Sequence, residues 1–430
     1  MQEDKNGLGA PATGGWSKQQ IEQFLAGEDL RYQKIDLPYG LATPGADRRE
    51  VCDLAFGQNI SGQTVLDIGS YLGYFCFEAL RRGAAGATGL EVDPIKLRQA
   101  KTLANIMALD AEFIRADIET LKLDRKFDII LCLNVLHHLF DPVGTLHKLA
   151  EATRHKLVLE VASLNPRDAR KLGLGMLTRA LISKLPVMFV SQGIPSPKAH
   201  TSVQKFFMTP SAIRRILGCH RLLFARIDVY PSSHKGRFIV MATRRRIGTL
   251  VVVSGPTSSG KSTFLKKLRE GQLPAPVAAQ LPATGSWPMV GASQLLRGMA
   301  EDKPALPPED LAGVVLHYDF LRPYASGIQD FRRDQALDLI SCAENIIVVV
   351  LKPSRERLLR QLTDSELSGK KASPRFTLGI RPEKQKKRHK ELFRLYGKDG
   401  WLAEWYERWE NFVRASGARV IDVDDNYYEG

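Results

Sequence analysis

Gly255-Pro-Thr-Ser-Ser-Gly260-Lys261-Ser262 carries the most specific chemistry in this sequence. Glycines at the first and sixth positions let successive backbone N–H groups wrap an anion where a helix begins. Lys261 would reach terminal phosphates and the Ser262 hydroxyl would ligate Mg2+. Ser258, Ser259 and Thr263 stand in the same cradle, so the stretch reads as a site for a triphosphate such as ATP. Downstream, Asp319 closes the apolar run Val314–Asp319. It could orient Mg2+ through water or accept a proton from an acceptor hydroxyl, and a turn or cap role is the plainer alternative. From Gly369 to Lys390 there are nine Lys/Arg, Arg381 and Arg388 among them, and Glu383 alone is acidic. Guanidinium groups there would neutralise a transferring phosphoryl. A solvated basic helix or an RNA dock fits the same residues.

A second constellation lies earlier. Val65-Leu-Asp67-Ile-Gly69-Ser70-Tyr-Leu-Gly73 runs an apolar strand into a glycine-rich turn. Gly69 lets the backbone turn where a side chain would meet a ligand, at the strand end where parallel sheets bind ligands. Glu91 ends the next strand, 22 positions beyond Gly69, from which a carboxylate can hold ribose hydroxyls. Asp117 follows the third strand and Asn134 the fourth. A dinucleotide Gly-x-Gly-x-x-Gly is absent. His137, His138 and Asp141 come just after, and histidine suits proton removal near neutral pH. Packing or helix capping is the bland role for each.

The elements that must position these groups alternate between strand and helix periods, which indicates an α/β fold. Strands are expected at 64–68, 87–91, 112–115, 128–133 and 156–161, with helices around 73–83, 95–106 and 143–151. Before them, residues 1–29 form a polar start and a leading helix with a Ser17–Gln20 capping box, onto whose Ile21 Trp16 can staple. Residues 163–205 break the rhythm, and a helical insertion over the site is expected. An interfacial membrane helix is the sharper reading of LGLGMLTRALISKLPVMFV, but Arg179 and Lys184 are too few basic residues to favour it. A helix near 210–217 and two strands, 221–230 and 236–243, complete a first domain, 30–245. Arg244-Arg245-Arg246-Ile-Gly248 marks a seam whose charge suits a solvated linker or an anion contact. Strands at 249–254, 314–319, 346–351 and 418–423 then lay out a second domain, 249–430.

With 430 residues, two cores are the default. A net charge of +14 suggests an anionic partner such as RNA, a nucleotide, a phosphorylated glycan or a membrane surface. The five cysteines lack metal or disulfide spacing, and neither a secretory leader nor a stretch of membrane-spanning length is present. A soluble, cytoplasmic protein is expected.

The motifs VLDIGSYLGYF, GLEVDP, RADIE and FDIILCLNVLHHLFDP resemble class I S-adenosylmethionine (SAM)-dependent methyltransferases over roughly 60–245. The resemblance implies a Rossmann-like seven-stranded domain. It places Asp67, Gly69 and Gly73 around the methionine part of SAM, Glu91 at the ribose, and Asp117 and Ile118 beside the adenine. KIDLPYGLATPG and FEALRRGA are similar to the branch with transferases acting on the wobble-uridine hydroxyl of tRNA. Residues 249–425 resemble P-loop NTPases of the kinase type, and GPTSSGKST is also similar to the loop of tRNA prenyltransferases. Together these imply a bifunctional enzyme that methylates an oxygen and phosphorylates a glycan, metabolite or RNA. The alternative is an RNA methyltransferase whose P-loop domain is a nucleotide-dependent RNA-binding module.

Overall fold

The computed structural model describes residues 14–425 apart from 165, 172, 183, 193–203, 219–221, 302, 322–329 and 368–389. The chain divides into two compact units, Met1–Cys219 with Arg226–Arg244, and His220–Ala225 with Arg245–Gly430. The short segment His220–Ala225 thus groups with the second unit, although it precedes the expected seam.

In the first unit, α1 (Lys18–Gly27) starts from the Ser17–Gln20 capping box. Trp16 meets Phe24 edge-on, with ring centroids 6.4 Å apart, one turn beyond Ile21. After α2 (Arg49–Phe56) come β1 (Thr64–Ile68), α3 (Tyr74–Arg81), β2 (Gly86–Glu91), α4 (Pro94–Ile106), β3 (Glu112–Arg115), β4 (Phe127–Leu133), α5 (Pro142–Ala152) and β5 (Thr153–Ala162). β1 and β4 are almost wholly buried apolar runs, as strands covered on both faces must be. The insertion holds α6 (Pro166–Lys171), α7 (Met176–Ile182) and the antiparallel pair β6 (Met188–Gln192) and β7 (Gln204–Met208). The expectation of a helical insertion is therefore corrected over its second half. Pro186 blocks continuation of the helix, and Met-Phe-Val-Ser-Gln alternates in exposure as a strand does. α8 (Pro210–Gly218), β8 (Phe224–Pro231) and β9 (Arg237–Arg244) follow.

The seven strands are ordered β3-β2-β1-β4-β5-β9-β8, and only β9 is shown running against its inner neighbour, β5. The chain departs from β1 to β2 on one side and to β4 on the other. That reversal opens a crevice at the carboxyl ends of β1 and β4, where Asp67, Gly69 and Asn134 lie.

The second unit is built on five parallel strands: β10 (Ile247–Gly255), β11 (Met289–Gly291), β12 (Leu311–Asp319), β13 (Ala343–Leu351) and β14 (Arg419–Val423). Their order is β11-β12-β10-β13-β14. Helices α9 (Lys261–Glu270), α10 (Ala275–Ala278) and α11 (Ala292–Ala300) precede two longer ones, Arg355–Leu367 and Trp401–Ala415. Three-residue β11 shows no sequence signal. Trp409 is fully buried, donates from Nε1 to Ser254 Oγ at 2.9 Å, and stacks on Tyr318 at 5.0 Å.

At the seam, Arg244 and Arg245 are buried rather than solvated. Arg244 donates to the Ala150 carbonyl at 3.1 Å and Arg245 to the Pro307 carbonyl at 2.7 Å. Only Arg246 is exposed, 3.4 Å from Glu344.

Candidate functional site

A cavity of about 380 Å³ opens at the carboxyl edge of the first sheet, lined by residues that include Asp67, Gly69, Glu91, Asp117, Ile118, Asn134 and His138. Gly69 has φ +68°, and a Cβ there would stand 2.6 Å from Val135 Cγ2, so backbone alone fits. Glu91 is buried, and its carboxylate accepts the backbone N–H groups of Tyr71 (2.9 Å), Val92 (2.8 Å) and Asp93 (3.0 Å). These bonds shape the turn around the carboxylate. Asp117 accepts from the Glu119 amide at 2.9 Å, and the Lys148 ammonium ties down the carbonyls of Ile118, Glu119 and Leu121.

Asp67 is only 2% exposed and its Oδ2 has no partner within the chain. Burial, and then the nearby Glu91 carboxylate, push its carboxyl up to about 8 against the pull of Arg48. Asn134 sits at φ +65°, a costly backbone state for a non-glycine. Its amide donates to Glu160 Oε2 at 2.5 Å, while its own Oδ1 is unpartnered. His138 Nδ1 is also unpartnered. Burial, then Lys205 and Arg237, hold its imidazole below the ordinary value.

The other expected residues lie apart from the cavity lining. The His137 ring is 3.9 Å from that of His138 and, mainly through burial, is lowered to about 3. Asp141 caps α5 through the Gly144 amide at 2.8 Å, so its carboxylate serves the helix and not the cavity. Ser70 is fully buried behind the turn. Gly73 starts α3, and a Cβ there would be 2.4 Å from Phe113 Cζ, so its smallness serves packing. Ser70 and Gly73, expected at the cofactor, and Asp141, expected as a base, thus stand outside the cavity lining.

Sequence reading missed part of the site. Tyr32, Gln33 and Arg48 also line the cavity. They come from a strap before α2, pinned by the Thr43 hydroxyl, which donates to the Gln33 carbonyl (2.5 Å) and accepts from the Ile35 amide (2.7 Å). Gln33 is 4% exposed with Oε1 unpartnered. Arg48 bonds Glu160 at 2.5 Å, both side chains buried, and reaches His234 Nδ1 at 2.9 Å. Burial works against the Glu160 charge, yet Arg48 and hydrogen bonds from Ser232, Arg48 and Asn134 hold its carboxyl below the ordinary value. One signal was available: a lone glutamate within the apolar strand Leu157-Val-Leu-Glu160-Val-Ala162.

In the second unit, β10 ends at Gly255, in register with Asp319 at the end of β12. A Cβ on Gly255 would stand 2.5 Å from Ser259 Oγ. Ser258 takes φ +67° and Gly260 φ +85°, and the latter starts α9. Lys261 is buried and donates to the Gly255 (3.0 Å) and Pro256 (2.5 Å) carbonyls, folded back over the loop. Ser262 and Thr263 are exposed on the first turn of α9, and Ser259 is buried. Asp319 accepts from Thr257 Oγ1 at 2.5 Å and the Leu321 amide at 3.0 Å. Arg381 and Arg388 lie outside the described residues.

Residues 59–186 match a family model described as a methyltransferase domain. Fold, cavity and match together make the first unit a class I SAM-dependent methyltransferase domain. The chain is similar to the tRNA U34 carboxymethyltransferase of Nautilia profundicola, 33% identical over 92 residues, which cover 21% of this chain and 31% of that protein. It is also similar to the tRNA U34 carboxymethyltransferase of Campylobacter lari, 29% identical over 176 residues, covering 40% and 53%. The chain therefore spans between about a third and a half of the length of these curated relatives. Among solved structures it resembles the N-terminal domain of EvdMO1 with SAH and D-fucose, at a TM-score of 0.42 and 18% identity, over 54% of this chain and all of that one.

Proposed function

We propose that the chain is a bifunctional transferase, whose first unit passes the methyl group of SAM to a hydroxyl acceptor and whose second unit transfers phosphoryl from ATP. One observation carries the first half. Gln33 Oε1, Asp67 Oδ2 and Asn134 Oδ1 are buried, lack partners within the chain, and belong to residues lining one cavity. Buried acceptors without donors cost stability unless a ligand supplies them, and an ammonium with ribose hydroxyls is such a ligand.

When bound, SAM would supply a methyl group on a positively charged sulfur, open to in-line attack. Glu91 would hold the ribose, Asp67 the ammonium, and Asp117 and Ile118 the adenine edge. Arg48, the only Lys or Arg of the lining among the described residues, offers its guanidinium to a carboxylate. Gly69 gives the close approach. A hydroxyl acceptor must also lose its proton. His138, neutral at pH 7 by its lowered value, is the lining residue suited to take it. His137 buttresses that ring and takes no part in transfer. Because the relatives are named for a tRNA position, RNA is the first acceptor to test, ahead of a glycan or small metabolite.

The second half rests on the glycine-rich loop between β10 and α9 and on the parallel sheet that sets Asp319 beside it. Lys261 would swing from the loop carbonyls to the terminal phosphates, with Ser262 and Asp319 about Mg2+. Incubation with methyl-labelled SAM and an unmodified tRNA pool tests the acceptor. Label should enter RNA and fail to enter with His138→Ala. Label entering only a glycan or small-molecule fraction would refute RNA as acceptor. Labelled γ-phosphate ATP tests the second unit, and ATP binding unchanged in Lys261→Ala would refute it.

A further inference from the structure

Residues 163–218 contain nine Lys/Arg and one acidic residue, Asp168, a surplus of +8 within a chain of net charge +14. The same stretch exposes its apolar residues. Met176 and Leu177 are each 79% exposed, Leu181 70% and Leu185 53%, and Met188 and Val190 on β6 are exposed too. The turn after α7 is fixed by side-chain bonds to its backbone. The Thr209 hydroxyl donates to the Leu185 carbonyl at 2.6 Å and accepts from the Val187 amide at 3.2 Å, and the Ser211 hydroxyl donates to the Lys184 carbonyl at 3.0 Å. On β6 the alternation is inverted relative to a solvated edge. The exposed positions are Met188, Val190 and Gln192, while Phe206, Phe207 and Met208 of the paired β7 are buried.

We propose that this insertion seats on an anionic lipid surface. Aliphatic and methionine side chains enter the boundary between headgroups and acyl chains, and exposed Arg170, Lys184 and Lys205 meet lipid phosphates. Two basic residues inside the apolar run are too few for this, but the insertion 163–205 holds seven and residues 163–218 hold nine. RNA would account for the charge and not for the aliphatic side chains, because nucleic acid offers phosphates and base faces. No helix among the described residues is long and apolar enough to cross a membrane, so the contact is peripheral. β7 packs against the turn carrying His138, which brings the docked surface beside the cavity.

Sedimentation of the full chain with vesicles tests the proposal without relying on either transfer activity. The chain should partition to vesicles of about one part phosphatidylglycerol to three of phosphatidylcholine at least about tenfold better than to phosphatidylcholine alone. Leu177→Asp with Leu181→Asp should lower that partitioning at least about tenfold, with the circular dichroism spectrum kept. If the aspartates unfold the protein, Leu177→Ser with Leu181→Ser gives the same readout. Absence of vesicle binding, or equal binding by wild type and variant, overturns the proposal. Vesicle binding abolished by tRNA competitor and insensitive to the leucine changes overturns it in favour of an RNA surface.

Discussion

At the end of β1, the Asp67 carboxyl is buried, unpartnered within the chain and pushed to about 8, so at pH 7 it carries its proton. A bound ammonium would draw that proton off. Calorimetry at pH 7 in buffers of different ionisation heat should therefore read proton release as SAM binds. Asp67→Asn should abolish the release and weaken binding roughly 10–100-fold. The folded value lies above the ordinary 3.8, so the protonated carboxyl favours the folded chain fully below about pH 4. That contribution falls away as pH rises through about 8, and Asp67→Asn should raise Tm more at pH 8 than at pH 4. His138 has the opposite logic. Its neutral form is the competent one and burial, Lys205 and Arg237 lower its value, so activity should persist as pH falls below 6.5 and be lost only further down. His138→Ala should reduce kcat by about 10²–10⁴ with SAM affinity unchanged.

Among the elements, the strap before α2 determines whether these residues meet. A Cβ on Gly45 would stand 2.2 Å from the Gln33 carbonyl carbon. Gly45→Ala must therefore displace Gln33 from the cavity wall, and titration should show weaker SAM binding with a stability loss of roughly 1–3 kcal/mol. Arg48→Ala leaves the Glu160 carboxylate buried without its guanidinium, and urea unfolding should read a loss of about 3–5 kcal/mol. Replacing both, Arg48→Met with Glu160→Leu, should cost less than the single change. The strands and helices around this strap were legible because their cues are local: continuous apolar runs for β1 and β4, glycines at the turns, and a capping box before α1. The Arg48–Glu160 pair was not, since its partners stand 112 positions apart and no periodicity joins them. β6 reads as helix in the sequence because a short apolar run has no decisive period, and β11 is too short to have one. Ser70 and Gly73 read as cofactor contacts and Asp141 as a base because a sequence marks the turn and not which way each side chain faces.

On the scale of the whole molecule, two units carry two sites on separate sheets. Lys261→Ala should abolish ATP binding by the second unit and leave SAM affinity within about twofold of wild type. The central claim is that the cavity between β1, β2 and β4 holds SAM. Ultraviolet cross-linking of labelled SAM to the full chain, followed by peptide mapping, tests it most directly. Label is predicted on peptides containing Asp67–Phe75, Glu91–Asp93 or Asn134–Phe140, and its loss with Asp67→Asn. Label confined to the second unit, or undiminished in that variant, would contradict the account.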